Sequence, residues 1–111
     1  MSQDPIVIVS ATRTAMGSFQ GGFAGLTAAN LGAVAIKAAV ERAGIDATLI
    51  DEVLMGCVLQ AGQGQAPARQ AARGAKLPDA AGATTINKVC GSGMKATMLA
   101  HDIINAGSAE I

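Results

Sequence analysis

One thiol sits where a strand-like run gives way to a helix-like one. "TTINKVCGSGMKATMLA" runs from Thr84 to Ala100: β-prone Thr84, Thr85, Ile86 and Val89 lead into Cys90, Gly91 and Gly93 follow, and a long apolar stretch begins. A cysteine in that place suits nucleophilic chemistry, because the thiolate is the attacking species and an ordinary thiol holds back its proton at neutral pH. The positive end of a helix favours the anion by about 0.3–1 kcal/mol, and by about 2 kcal/mol in partly buried geometries. With no Cβ, Gly91 and Gly93 would permit a tight turn and let a substrate come close to the backbone. N–H groups of such a turn, that of Cys90 among them, could receive the charge that builds on a carbonyl oxygen.

The same residues admit two other readings. Cys90 could be a small buried hydrophobe. Alternatively, Gly91-x-Gly93-x-x-Ala96 fits the glycine pattern of a dinucleotide-binding turn, with Glu110 about where the ribose-binding acid belongs. Against the second, Asn87 and Lys88 interrupt the preceding strand, Glu110 would open a strand rather than close one, and the cysteine would be incidental. Cys57, between Gly56 and Val58, reads as a small buried strand residue. His101 lies on the helix that Cys90 introduces, on the order of 12–16 Å along it. That is outside the ~3 Å reach of a general base, so it reads as a polar margin residue.

These groups need elements to hold them. Ile6-Val7-Ile8-Val9 has the continuous β-branched character of a strand buried on both faces. After a Ser/Thr/Gly-rich loop containing Arg13, Thr14 and Gly17, Thr27 stands as an N-cap. Leu31, Val34, Ala35 and Ala38 form a helical stripe, and Gly44 falls where a C-terminal cap belongs. Asp51 and Glu52 precede a second strand, Val53 to Leu59, and Pro67 opens a short helix that ends before Pro78. The stretch up to Cys90 is the third strand, a helix runs from about Gly93 to Ala106, and Ser108–Ile111 begins a fourth strand. Alternation of strand and helix predicts α/β architecture, a βαβαβα unit on a mainly parallel sheet. Met94, Met98 and Ile104 extend the apolar surface of the last helix well beyond the stripe of Ala96, Leu99, Ala100 and Ile103. A helix of that kind is buried on more than one side.

Composition narrows the function classes. The chain of 111 residues is 50% apolar and 14% charged with formal net charge zero, which fits one small globular domain and excludes a disordered segment. No Lys/Arg cluster offers nucleic acid or an anionic membrane a surface. The apolar runs break before the ~18 residues of a membrane span, and no secretory signal is readable at the start. Cys57 and Cys90 are too few for a disulfide framework or a zinc site, so free thiols in reducing cytoplasm, with no metal, are expected.

"INKVCGSGMKA" resembles the nucleophile segment of thiolases, and of their acetoacetyl-CoA branch in particular. "IVIVSATRTAMGSFQGGF" is similar to that family's first strand and loop, "TAANLGAVAIKAAVERAG" to its first helix, and "DEVLMGCVLQAGQGQAPARQAA" to its second strand and following helix. The resemblance covers the whole chain. It implies a thiolase-like fold of two similar α/β halves, with the last helix buried between their sheets. It implies too that Cys90 accepts an acetyl group as a thioester, which a second acetyl-CoA, deprotonated at its methyl, attacks to give acetoacetyl-CoA and CoA; the reverse is thiolysis. Coenzyme A thioesters are then the substrates, no cofactor is bound, and a dimer or tetramer of like chains is implied. Gln63, Gln65 and Arg69 resemble a segment that packs near the family's active site and dimer interface. Family members are considerably longer, and the histidine, second cysteine and oxyanion Asn of their later segments have no counterpart here. Residues 1–111 thus match an incomplete N-terminal domain that stops before its fourth strand is finished, and they are expected to be inactive alone. The competing expectation is a non-catalytic piece that needs a complementary polypeptide.

Overall fold

The computed structural model describes residues 5–111; the reading of residues 1–4 as free of a secretory signal lies outside them. Five main elements follow in order: α1 (Ala28–Ala43), β1 (Glu52–Gly56), α2 (Pro67–Gly74), β2 (Gly82–Ile86) and α3 (Ser92–Asn105), with a 3-10 turn at Ala47–Leu49.

Local chemistry sets the helix ends. Thr27 Oγ1 accepts the Asn30 N–H at 3.1 Å while Asn30 Oδ1 accepts the Thr27 N–H at 2.9 Å, a reciprocal cap on α1. A capping side chain of this kind contributes about 1 kcal/mol. Gly44 closes the helix at φ 68°, where an L side chain is disfavoured, and its N–H reaches the Val40 and Glu41 carbonyls. Pro67 starts α2, where a missing N–H costs nothing, and the Ala68 N–H donates to Thr85 Oγ1 at 3.0 Å, tying α2 to β2.

β1 and β2 pair in parallel, from Glu52 opposite Gly82 to Gly56 opposite Ile86. Side chains alternate across a strand. Val53 and Met55 face α1 and α2, where Val53, Ala72, Ala75 and Leu77 form the core beside Ile36, Val40 and Ala83. Leu54 and Gly56 face α3, across a groove of about 450 Å³ lined also by Ala96, Ala100, Ile103 and Ile104. The result is three layers: α1 with α2, the sheet, then α3.

Three expectations are corrected. Ile6–Val9 belongs to no strand, and Val7, Ile8 and Val9 are exposed. The chain just after them is bound to α1 instead: Ser10 Oγ donates to Ala39 O at 2.8 Å, Thr12 Oγ1 to Ala35 O at 2.7 Å, and the Arg42 guanidinium to Ala11 O at 2.7 Å. β-propensity describes fit to a pleated neighbour, and three side chain-to-carbonyl bonds along α1 win here. Ser108–Ile111 is likewise no strand. Ile111 O accepts the Asp51 and Glu52 N–H groups at 2.8 and 3.3 Å, and Asp51 Oδ2 accepts those of Glu110 and Ile111 at 2.7 and 3.2 Å. Those two N–H groups hold the Asp51 carboxyl below its ordinary pKa. Finally, the two remaining strands end at Gly56 and Ile86 rather than at Leu59 and Val89. The fold class stands as α/β with a parallel sheet, in the element order αβαβα.

Candidate active site

Cys90 lies between β2 and α3, one residue before the helix N-cap Gly91, and is exposed. Exposure removes the reading of this thiol as a buried hydrophobe. The turn that presents it is built differently from expectation. Gly91 has φ −90°, open to any residue, and a Cβ there would come no nearer than 3.5 Å to Lys88 O; a Cβ on Gly93 would meet nothing. The strained residue is Val89, at φ 47°. A β-branched side chain in the left-handed region costs on the order of 1–3 kcal/mol and persists only where its surroundings fix it.

Two side chains fix it. Asn87 Oδ1 accepts the Val89 N–H at 2.9 Å, and Asn87 Nδ2 donates to Val58 O at 3.2 Å, anchoring the turn to the chain after β1. Ser92, only 3% exposed, accepts the Lys88 N–H at 2.9 Å on its hydroxyl oxygen and donates that hydroxyl to Val89 O at 2.6 Å. The Ser92 N–H also reaches Val89 O, at 3.2 Å, and the Gly91 N–H reaches Lys88 O at 3.0 Å. Each peptide group flanking Val89 is therefore held by a side chain. Ser92 is seated in turn by Gly56, where a Cβ would stand 2.6 Å from the Ser92 carbonyl carbon and Gly93 N. That close approach of backbone to backbone needs a glycine.

Sequence reasoning named Cys90, Gly91 and Gly93, and passed over Ser92, Gly56 and the cap made by Asn87. A signal for two of them was present. Ser and Asn beside a helix start compete for local N–H groups, and both stand within three residues of the thiol. Nothing local marks Gly56, which matters only through a contact 36 residues distant along the chain.

The other candidates lie elsewhere. Cys57 follows β1, half-buried, with its N–H on Ile86 O at 2.9 Å. His101 is nine residues into α3 beyond Ser92, about 13 Å along the axis, where it lines the outer face with Met94, Thr97, Met98 and Asp102. Its Nδ1 stands 3.6 Å from Asp102 Oδ1. The Gln63 and Gln65 carbonyls accept the Gln70 side-chain amide, both at 2.8 Å, which closes the loop before α2. Glu110, the acid of the dinucleotide reading, lies outside any strand with its N–H on Asp51. Among the described residues no three His, Cys, Asp or Glu side chains gather as a metal site would need, and no helix is long and apolar enough to cross a membrane.

The model of the thiolase N-terminal domain matches residues 6–111. An acetyl-CoA acetyltransferase of Cupriavidus necator is 61% identical over 106 residues, 96% of this chain and 27% of that protein. A mitochondrial acetyl-CoA acetyltransferase of Xenopus laevis is 58% identical over the same share of this chain and 25% of its own. Among solved structures, the Acat5 thiolase of Ascaris suum in complex with coenzyme A superposes with a TM-score of 0.89 at 39% identity, over 92% of this chain and 27% of that one. The chain spans about a quarter of the length of the relatives it matches. With the family model covering residues 6–111 and the fold shared, this chain belongs to the thiolase family.

Proposed function

We propose that these residues form the nucleophile-bearing, N-terminal part of an acetyl-CoA acetyltransferase, with Cys90 as the acyl acceptor. Its sulfur attacks the carbonyl carbon of acetyl-CoA, and the Cys90 N–H faces the charge gathering on oxygen. The carbon–sulfur bond to coenzyme A breaks, and the thiol proton ends on the departing coenzyme A. A second acetyl-CoA then loses a methyl proton, and its carbanion attacks the acetyl-Cys90 thioester. Acetoacetyl-CoA forms as the bond from the acetyl carbon to the Cys90 sulfur breaks, and a proton equivalent to the one lost from the methyl group restores the Cys90 thiol; thiolysis is the reverse. Covalent catalysis divides one hard carbon–carbon step into two easier ones.

The observation that carries this reading is the exposed Cys90 on a strained, doubly strapped turn at the head of α3. The names of the relatives supply the acyl group and its carrier. The proton transfers call for a base that His101, far along α3, does not supply. Residues 1–111 alone are accordingly expected to show no turnover, and the working enzyme is expected to be a cytoplasmic dimer or tetramer of longer chains.

A second reading, a part that needs further polypeptide, is favoured by one observation: Val7, Ile8, Phe19, Met94 and Met98 are all exposed. Residues 1–111 alone should then self-associate on size-exclusion chromatography, and a clean monomer would count against it. The test of the main reading uses the protein isolated with any polypeptide that accompanies it, incubated with acetyl-CoA and examined by peptide mass spectrometry. An acetyl group is expected on Cys90. A label on another side chain, or none, defeats the assignment.

A further inference from the structure

The turn before α3 carries more hydrogen bonds than a helix start requires, and two of them are made by one side-chain hydroxyl. Ser92 is nearly fully buried, and its hydroxyl is used twice, accepting from Lys88 N and donating to Val89 O. The second bond is the informative one. Val89 O and the Cys90 N–H belong to the same planar, trans peptide group, so they point in opposite directions. Whatever fixes the direction of Val89 O also fixes where the Cys90 N–H is aimed. Val89 O receives both the Ser92 hydroxyl at 2.6 Å and the Ser92 N–H at 3.2 Å. The Asn87 side chain holds the other side of Val89 through its N–H. Thus Asn87 holds the peptide plane before the strained residue, and Ser92 holds the one that follows it.

We infer that Ser92 is a positioning residue, whose hydroxyl aims the Cys90 N–H at the oxygen that becomes charged when the Cys90 sulfur attacks an acyl thioester. This inference rests on the proposed role of Cys90 as acyl acceptor. A donor aimed in advance is effective because it need not reorganise as charge develops. Without the Ser92 hydroxyl, Val89 O keeps only the longer N–H bond, and the peptide plane is free to rotate toward a relaxed conformation at Val89. The thiol would remain on the surface, exposed and able to react with electrophiles that develop no oxyanion.

The test compares two reactions of the same sulfur in the protein isolated with any accompanying polypeptide. One is acetylation by acetyl-CoA, which passes through an oxyanion; the other is alkylation by iodoacetamide, which displaces iodide at a saturated carbon. Ser92→Ala is expected to slow acetylation of Cys90 by about 10- to 100-fold, the scale of a misplaced donor. Its alkylation rate, measured from pH 6 to 10, is expected to stay within about threefold of the parent. Ser92→Thr, which keeps the hydroxyl, should acetylate within about threefold of the parent, and it carries the test if the alanine variant does not fold. Equal loss in both reactions, unchanged acetylation in Ser92→Ala, or failed acetylation in a folded Ser92→Thr overturns the role of Ser92 alone. If the parent itself takes no acetyl group on Cys90, the assignment of the nucleophile falls, and this inference with it.

Discussion

The two faces of the small sheet are built on different principles. On one, Val53 and Met55 meet α1 and α2 through a layer dominated by alanine, with Ala68 and Ala72 each only 1% exposed. On the other, Leu54 and Gly56 look across an open groove to α3, whose far side leaves Met94 73% exposed. The first face is closed by small residues that bring helices close, and it holds the fold together. The second keeps an open groove between the sheet and α3, and Met94 and Met98 lie exposed on the far side of that helix. Cys90 stands at the end of that second face, held by hydrogen bonds of its own turn rather than by a surrounding core. Stability and chemistry are therefore separable in this chain.

Paired substitutions test that separation. The largest expected effect is on the open face: Cys90→Ala is expected to abolish acetyl transfer, since it removes the proposed acyl acceptor, while urea unfolding is unchanged because the side chain is exposed. A clear loss of stability in Cys90→Ala would break the comparison. On the packed face Leu77→Ala should do the opposite, costing about 2–4 kcal/mol of unfolding free energy with the Cys90 turn unaltered. Urea denaturation of the two variants side by side reads the contrast directly.

Gly56→Ala probes the joint between the faces. Its methyl would stand 2.9 Å from Ser92 Cβ and nearer still to the α3 backbone, so the start of α3 has to move. About 1–3 kcal/mol of destabilisation is expected, together with slower acetylation of Cys90. Destabilisation with full acetylation would mean that the turn tolerates displacement of Ser92. The smallest effect concerns Asp51. Its folded carboxyl lies below the ordinary 3.8, because it accepts the Glu110 and Ile111 N–H groups. A lowered carboxyl stabilises above its unfolded value and loses that contribution as pH falls through the folded one. The Glu110 and Ile111 amide proton shifts should therefore titrate with an acid midpoint below 3.8, and Asp51→Asn should remove the titration. Persistence of that titration in Asp51→Asn would assign the anchor to another group.

Sequence alone determined what depends on neighbours in the chain. The Thr27 cap, the Gly44 stop, the Pro67 start and the switch from strand to helix around Cys90 were all legible. Each rests on backbone geometry settled within a few residues. The family was legible in "INKVCGSGMKA" for the same reason of locality. Tertiary structure decided the rest. Ile6–Val9 has the composition of a strand, yet whether it joins a ladder depends on a free neighbouring edge, and here the following residues are drawn to α1 instead. The strain at Val89 was invisible because Val is among the last residues expected at positive φ. It is tolerated only because Asn87 and Ser92 hold its peptide groups, and Ser92 is seated only because Gly56 brings β1 within backbone contact of α3. Contacts of that kind join residues far apart in sequence, and no local pattern encodes them.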